Sequence, residues 1–265
     1  MKLGVIGCGA IGRRIVSEGL MMEGIETIYV HDRHGERAES LTTSGVHIAN
    51  PSTMLDECEL IVEAASPAAV REIVLPAVDR GIDVIVMSSG AFADRPLFRE
   101  IERRAAVTAA RVFVPSGAIC GIDALKAAAV GGIERLEINT YKRPGSIRPT
   151  DEFLERTGID LVSIDSPTLV FEGAPEEGIR YFPRNVNVSA TLDLAAGAGV
   201  ETVLRVYIDP NIEHNRHEIV LEGTFGRLVI SLDNVPSENP GTSELAVLSA
   251  ISTLRSILSP VRIGT

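Results

Sequence analysis

The feature that most constrains this chain is Gly7-Cys8-Gly9-Ala10-Ile11-Gly12, which lies between a short apolar run and a helical stretch. Residues 2–7 (KLGVIG) have the length and Val/Ile content of a buried parallel strand. Arg13 to Met22 reads as a helix, and Ile25 to Val30 as a second strand that ends at His31-Asp32-Arg33. Strand, GxGxxG, helix, strand and acid together predict a dinucleotide-binding unit. Gly7 permits the tight turn, Gly9 lets the backbone approach a pyrophosphate, and Gly12 lets helix and strand pack closely. The helix start at Ala10 and Ile11 offers free N–H groups and a partial positive charge to the phosphates. Asp32, 20 residues after Gly12, stands where an acid accepts the adenosine ribose hydroxyls. Its charge favours NAD over NADP, whereas the neighbouring Arg33 could pair with a 2′-phosphate, so either cofactor is expected.

The alternation continues with strands expected at 60–65 (LIVEAA), 83–87 (DVIVM) and 112–115, and helices at 68–79 and 96–108. Repeated alternation of this kind implies a doubly wound parallel sheet, with ligands outside the carboxyl ends of its strands. Ala65, Ser66 and Ser88 would then stand beside the glycine loop, although both serines could equally cap the following helices.

The texture changes after Pro115. Segments 202–209, 217–222 and 228–232 alternate with period 2 and are joined by short links, which favours a mixed or antiparallel sheet with helices on one face. Segment 136–140 reads as a strand that runs into a basic turn at 141–145, and 170–173 as an extended piece before an acidic turn. A helix is expected from Asn187 to Ala196, and a long apolar-periodic one at 243–258. The expected domains are therefore 1–112 for the dinucleotide, 113–239 for substrate and oligomerisation, and a C-terminal helix within 240–265 that packs back on the first.

The 25 basic and 36 acidic residues give a net charge of -11, and aromatics are 4% with no Trp. Both facts argue against a nucleic-acid partner, and an anionic ligand would need locally gathered cations. Cys8, Cys58 and Cys120 are too few and scattered for a disulfide framework or metal cluster, and read as small buried thiols. No run is long and apolar enough to span a membrane, and no leader pattern precedes the first strand, so a cytoplasmic setting is expected.

A nicotinamide enzyme must supply a proton carrier and a charge clamp from the protein. Of five histidines, only His214 and His217 fall in the presumed substrate lobe. His217 opens an alternating strand and can exchange a proton near neutral pH, and Asn215 could orient either ring. The pair lacks further ligands at metal-binding spacing. Lys142, Arg143 and Arg184 are the cations expected near the cleft between the lobes, each able to hold a carboxylate or to be a solvated surface charge.

Segments 116–125 (SGAICGIDAL), 181–192 (YFPRNVNVSATL), 209–219 (DPNIEHNRHEI) and 234–255, following GCGAIG, resemble the L-aspartate dehydrogenase family in the same order along the chain. The resemblance implies a Rossmann-type domain joined to a second α/β domain with a mixed sheet, in a homodimer. It also implies reversible conversion of L-aspartate, NAD(P) and water to oxaloacetate (through iminoaspartate), ammonia and NAD(P)H, with iminoaspartate feeding NAD synthesis in some organisms. Carried over by motif, the catalytic histidine is His217, and the cofactor-contacting residues are Ala118 and one of Asn185 and Asn187, with Asn187 favoured. Lys142, Asn185, His214 and Asn215 are the candidates for substrate contact. The alternatives are a homoserine-dehydrogenase-like or dihydrodipicolinate-reductase-like enzyme built on the same cofactor lobe, or a non-catalytic NAD-binding module.

Overall fold

The computed structural model describes residues 1–182, 187–197, 199–239 and 242–264. They form two units, one of Met1–Pro115 with Ala246–Ile263 and one of Ser116–Leu245 with the chain end.

In the first unit the chain runs β1 (Lys2–Ile6), α1 (Ala10–Gly19), β2 (Thr27–His31), α2 (Gly35–Glu39), β3 (Val46–Ile48), α3 (Pro51–Glu57), β4 (Leu60–Glu63), α4 (Pro67–Asp79), β5 (Asp83–Val86), a short 3-10 helix (Ser89–Ala93), α5 (Arg95–Thr108) and β6 (Val112–Phe113). The six strands lie in the order β3-β2-β1-β4-β5-β6, and every pairing is parallel. The order reverses between β1 and β4, which is where an open α/β sheet offers its ligand crevice. Leu3, Val5, Val30, Val62 and Ile85 are wholly buried, as expected of strands covered on both faces. One register row crosses the sheet at the carboxyl ends: His31, Ile6, Glu63 and Val86. Strand β3 and helix α3 were not legible beforehand. The helix nonetheless carried its signals, since Asn50 accepts the Thr53 N–H and Pro51 fills the first turn.

The second unit runs α6 (Ile122–Gly131), β7 (Ile133–Lys142), α7 (Asp151–Thr157), β8 (Thr168–Gly173), α8 (Pro175–Tyr181), α9 (Asn187–Ala196), β9 (Glu201–Ile208), β10 (Asn215–Gly223) and β11 (Gly226–Asn234). The sheet order is β11-β10-β7-β9-β8, and only β7 and β9 are parallel. Alternate residues (Leu136 and Ile138 on β7, Leu204 and Val206 on β9, Ile219 and Leu221 on β10) share one buried core with Phe153, Phe171 and Phe182. Helix α10 (Glu244–Leu258) follows, and its Ala250 and Leu254 lie in the core of the first unit, where Arg255 also pairs with Glu18 at 2.9 Å.

Two local expectations are corrected. Tyr141 and Lys142 are not turn residues: β7 continues through them because Tyr141 pairs with Arg216 and Lys142 with Ile208, and cross-strand pairing outweighs the Pro144-Gly145 turn signal. The acidic turn after Gly173 is helix α8, begun by Pro175 with Glu176 and Glu177 in the first turn.

Candidate functional site

The glycine loop follows β1 and leads into α1, with Gly9 at the helix N-cap. Gly7 has φ +95°, and a Cβ there would stand 2.5 Å from the Ala64 carbonyl oxygen. A Cβ at Gly12 would collide with the Gly7 carbonyl oxygen, whereas one at Gly9 would meet nothing within 4 Å. Two glycines thus close the turn, and the third leaves open space at a helix N-terminus, which fits a dinucleotide pyrophosphate. Asp32 lies just past β2. Its Oδ2 accepts the Cys8 N–H and its Oδ1 the His34 N–H, both at 2.8 Å. Partial burial works against the charged form, but these two N–H groups and Arg37 outweigh it and hold the carboxyl below its usual range. Each oxygen keeps a further lone pair for a ribose hydroxyl.

Ser66 caps α4 through the Ala69 N–H, so its hydroxyl has the capping role that sequence left open. Ser88 does not cap by side chain: its hydroxyl donates to Glu63 Oε1 at 3.0 Å. Glu63 is 0% exposed, and its carboxylate also accepts the backbone N–H groups of Ala65, Ser66 and Ser88 at 2.8, 2.9 and 3.1 Å. Burial pushes this carboxyl up, although the four donors oppose the rise. Glu63 was not singled out from sequence, where it reads as one polar letter in an apolar strand.

In the second unit the inner row of β7 changes character along its length, from Leu136 and Ile138 to Thr140 and Lys142. Antiparallel pairing sets His217 of β10 opposite Thr140. The imidazole Nδ1 lies 3.0 Å from Thr140 Oγ1, so Thr140 rather than Asn215 orients the ring. His217 is 2% exposed. Burial, with the Lys142 charge as a second cause, lowers its pKa to about 3. The imidazole is therefore neutral across the physiological range. Lys142 is 8% exposed and burial lowers its pKa to about 8. No carboxylate pairs with it among the described residues. Lys142 and Thr140 line a small pocket with Ile147, Phe182, Ser189 and Val206. An uncompensated buried cation in such a cavity is costly to the fold and is suited to an anion.

The remaining candidates are spread around this sheet. The Ala118 carbonyl accepts the Asn234 side-chain N–H at 2.8 Å, which ties the segment before α6 to the end of β11. Gly121, with φ +79°, caps α6 against Ile230. Asn187 opens α9 with an exposed side chain. His214 precedes β10 with a buried, unbonded Nδ1, and Asn215 is the first residue of that strand. Asn185 and Arg184 lie outside the described residues. Cys120 is exposed, unlike Cys8 and Cys58, so the reading of all three as buried thiols is corrected. Among the described residues no helix is long and apolar enough to cross a membrane, and no three or more His, Cys, Asp or Glu gather as metal ligands. Thr140 and Asn234 escaped the sequence reading, since a lone Thr or Asn in an alternating run carries no signal of its own.

A dinucleotide cradle on one unit and acid–base and cationic groups on a separate unit are the division of labour of nicotinamide-dependent dehydrogenases, and this chain is of that class. Residues 7–115 match the profile of the homoserine dehydrogenase NAD-binding domain, and residues 123–257 that of the aspartate dehydrogenase C-terminal domain. The L-aspartate dehydrogenase of Methanosarcina barkeri is 42% identical over 274 residues, and that of Methanocaldococcus jannaschii 36% over 271, each covering 100% of both chains. The crystal structure of aspartate dehydrogenase from Thermotoga maritima is similar with a TM-score of 0.77 and 29% identity, covering 100% of this chain and 99% of that one. The chain belongs to the L-aspartate dehydrogenase family.

Proposed function

We propose that the protein catalyses the reversible oxidative deamination of L-aspartate to oxaloacetate and ammonia with NAD or NADP, and that iminoaspartate, its intermediate, can feed pyridine nucleotide biosynthesis. The observation that carries the reading is Lys142, a buried cation without a counter-charge among the described residues, two positions along the same strand face from the Thr140 that holds His217. A substrate with two carboxylates supplies the missing negative charge. Gly7, Gly9, Ala10, Ile11, Gly12 and Asp32 would hold the dinucleotide, with Arg33, Ala65, Ser66, Ser88, Ala118 and Asn187 as further contacts. Bound NAD(P) supplies the two-electron acceptor for the α-hydrogen of the amino acid.

The chain's own groups do the rest. Lys142 binds and orients a substrate carboxylate, with His214 and Asn215, at the start of the strand that carries His217, as further contacts. In the tautomer whose Nδ1–H donates to Thr140 Oγ1, His217 keeps a lone pair on Nε2 and takes a proton from the water that attacks the imine carbon. When a carboxylate neutralises Lys142, one of the two causes that depress the imidazole is removed, so substrate raises the basicity of its own base. In the reverse direction His217 returns the proton.

Two results follow here. Lys142 must be protonated to bind, so kcat/KM for aspartate falls as pH rises through about 8, which an initial-rate profile reads directly. Asp32→Asn removes the charged acceptor of the ribose hydroxyls and is expected to raise the NADH Kd by roughly ten-fold while affecting NADPH less, as fluorescence titration reads. A substrate panel tests the reaction: turnover of aspartate is expected, and turnover of homoserine without aspartate would overturn the assignment. The homodimer rests on the outward face of the second sheet, where Tyr141 and Tyr207 stack and Leu169 and Val229 are 44% and 53% exposed. Sedimentation of the free protein tests it. The setting proposed is the cytoplasm.

A further inference from the structure

We propose that Glu63 is a positioning residue for the dinucleotide: its buried carboxylate fastens the loop after β4 to the loop after β5 and so sets where Ala65, Ser66 and Ser88 stand. The proposal rests on reading the first unit as the NAD(P) site. Glu63 ends an otherwise apolar, fully buried strand, where a carboxylate is expensive unless hydrogen-bonded. Four donors meet it, and all of them belong to residues 65, 66 and 88. None comes from a helix interior or the opposite end of the sheet. The carboxylate thus replaces the strand ladder just where β4 and β5 stop pairing.

The register explains why this bears on the cofactor. In the row His31, Ile6, Glu63 and Val86, the first two residues are followed at once by Asp32 and Gly7, and Val86 is followed two residues on by Ser88. The backbone just after Glu63 also lies against the glycine turn. The Ala64 N–H donates to the Ile6 carbonyl at 2.8 Å, and the Ala65 Cα would be 2.8 Å from a Cβ on Gly7. A shift of the Ala64–Ser66 backbone therefore carries into the loop that fits the pyrophosphate. Glu63 acts through these backbones, as supporting shells do around other sites.

The test is the dissociation constant for NADH, read by fluorescence titration, with melting temperature and steady-state kinetics beside it. Glu63→Gln keeps the volume but turns one acceptor oxygen into a donor that faces N–H groups. It is expected to weaken NADH binding about ten-fold and raise the cofactor KM, while leaving the oxaloacetate KM within about two-fold. Ser88→Ala is expected to weaken binding about three-fold in the wild-type background and to add little in Glu63→Gln, because the two groups form one network. A merely structural Glu63 would lower the melting temperature, leave the NADH Kd unchanged and let the two substitutions act independently; that result overturns the proposal. If Glu63→Gln does not fold, Glu63→Asp keeps the charge and withdraws it by one methylene, and NADH affinity equal to wild type would likewise overturn it. Failure of the wild-type protein to bind NADH would instead overturn the cofactor reading on which the proposal stands.

Discussion

His217→Ala is expected to lower kcat by about 10²–10⁴-fold, the usual contribution of a positioned general acid–base group, with a much smaller change in the aspartate KM. The imidazole has one nitrogen on Thr140 and is kept unprotonated by burial and by Lys142, and it gains basicity when a substrate carboxylate neutralises Lys142. Stability responds in the opposite sense. The folded-state pKa of about 3 lies below the ordinary 6.5, so the unfolded chain takes up a proton that the native chain refuses. Wild-type stability therefore falls as pH drops from about 6.5 towards 3, and the alanine variant lacks that part of the fall. Loss of turnover in His214→Ala with normal turnover in His217→Ala would reverse the assignment.

Lys142→Met should separate binding from folding more sharply. Removing the ammonium is expected to raise the KM for aspartate and oxaloacetate about 100-fold, or about 2.7 kcal/mol, the scale of a lost ion pair to a buried group. The same change removes a buried cation with no counter-ion among the described residues, so the free protein should melt higher than wild type. The pH dependence of melting identifies the group. Between pH 8 and 10.5 the unfolded chain holds a proton that folded Lys142 has shed, so wild-type stability rises with pH across that window. In the methionine variant this rise is expected to vanish. An unchanged KM would leave Lys142 with no part in substrate binding.

The cofactor half of the account was legible because its signals are local. Gly7, Gly9, Gly12 and Asp32 lie within one strand–helix–strand unit, and the turn chemistry of each glycine can be reasoned without knowing the rest of the fold. His217 stood out because few histidines lie in the second half and one opens an alternating strand. Lys142 was visible as a cation but misplaced in a turn, since Pro144 and Gly145 speak locally and the pairings with β9 and β10 that extend the strand do not. Thr140 and Glu63 were illegible for the same reason: the value of each lies in a partner 77 or 25 residues away. Helix α8 could have been read, because Pro175 followed by two glutamates is a helix-start signal that was outweighed by the expectation of an acidic turn.

The central claim is that a dicarboxylate is aminated and reduced on a neutral histidine beside a buried lysine. The initial rate of NADH and NADPH oxidation, measured with oxaloacetate and ammonium near neutral pH, tests it most directly. The account predicts saturable oxidation of at least one cofactor that requires both co-substrates and is lost in His217→Ala. Cofactor binding without any oxidation under these conditions, or oxidation indifferent to ammonium, would contradict it.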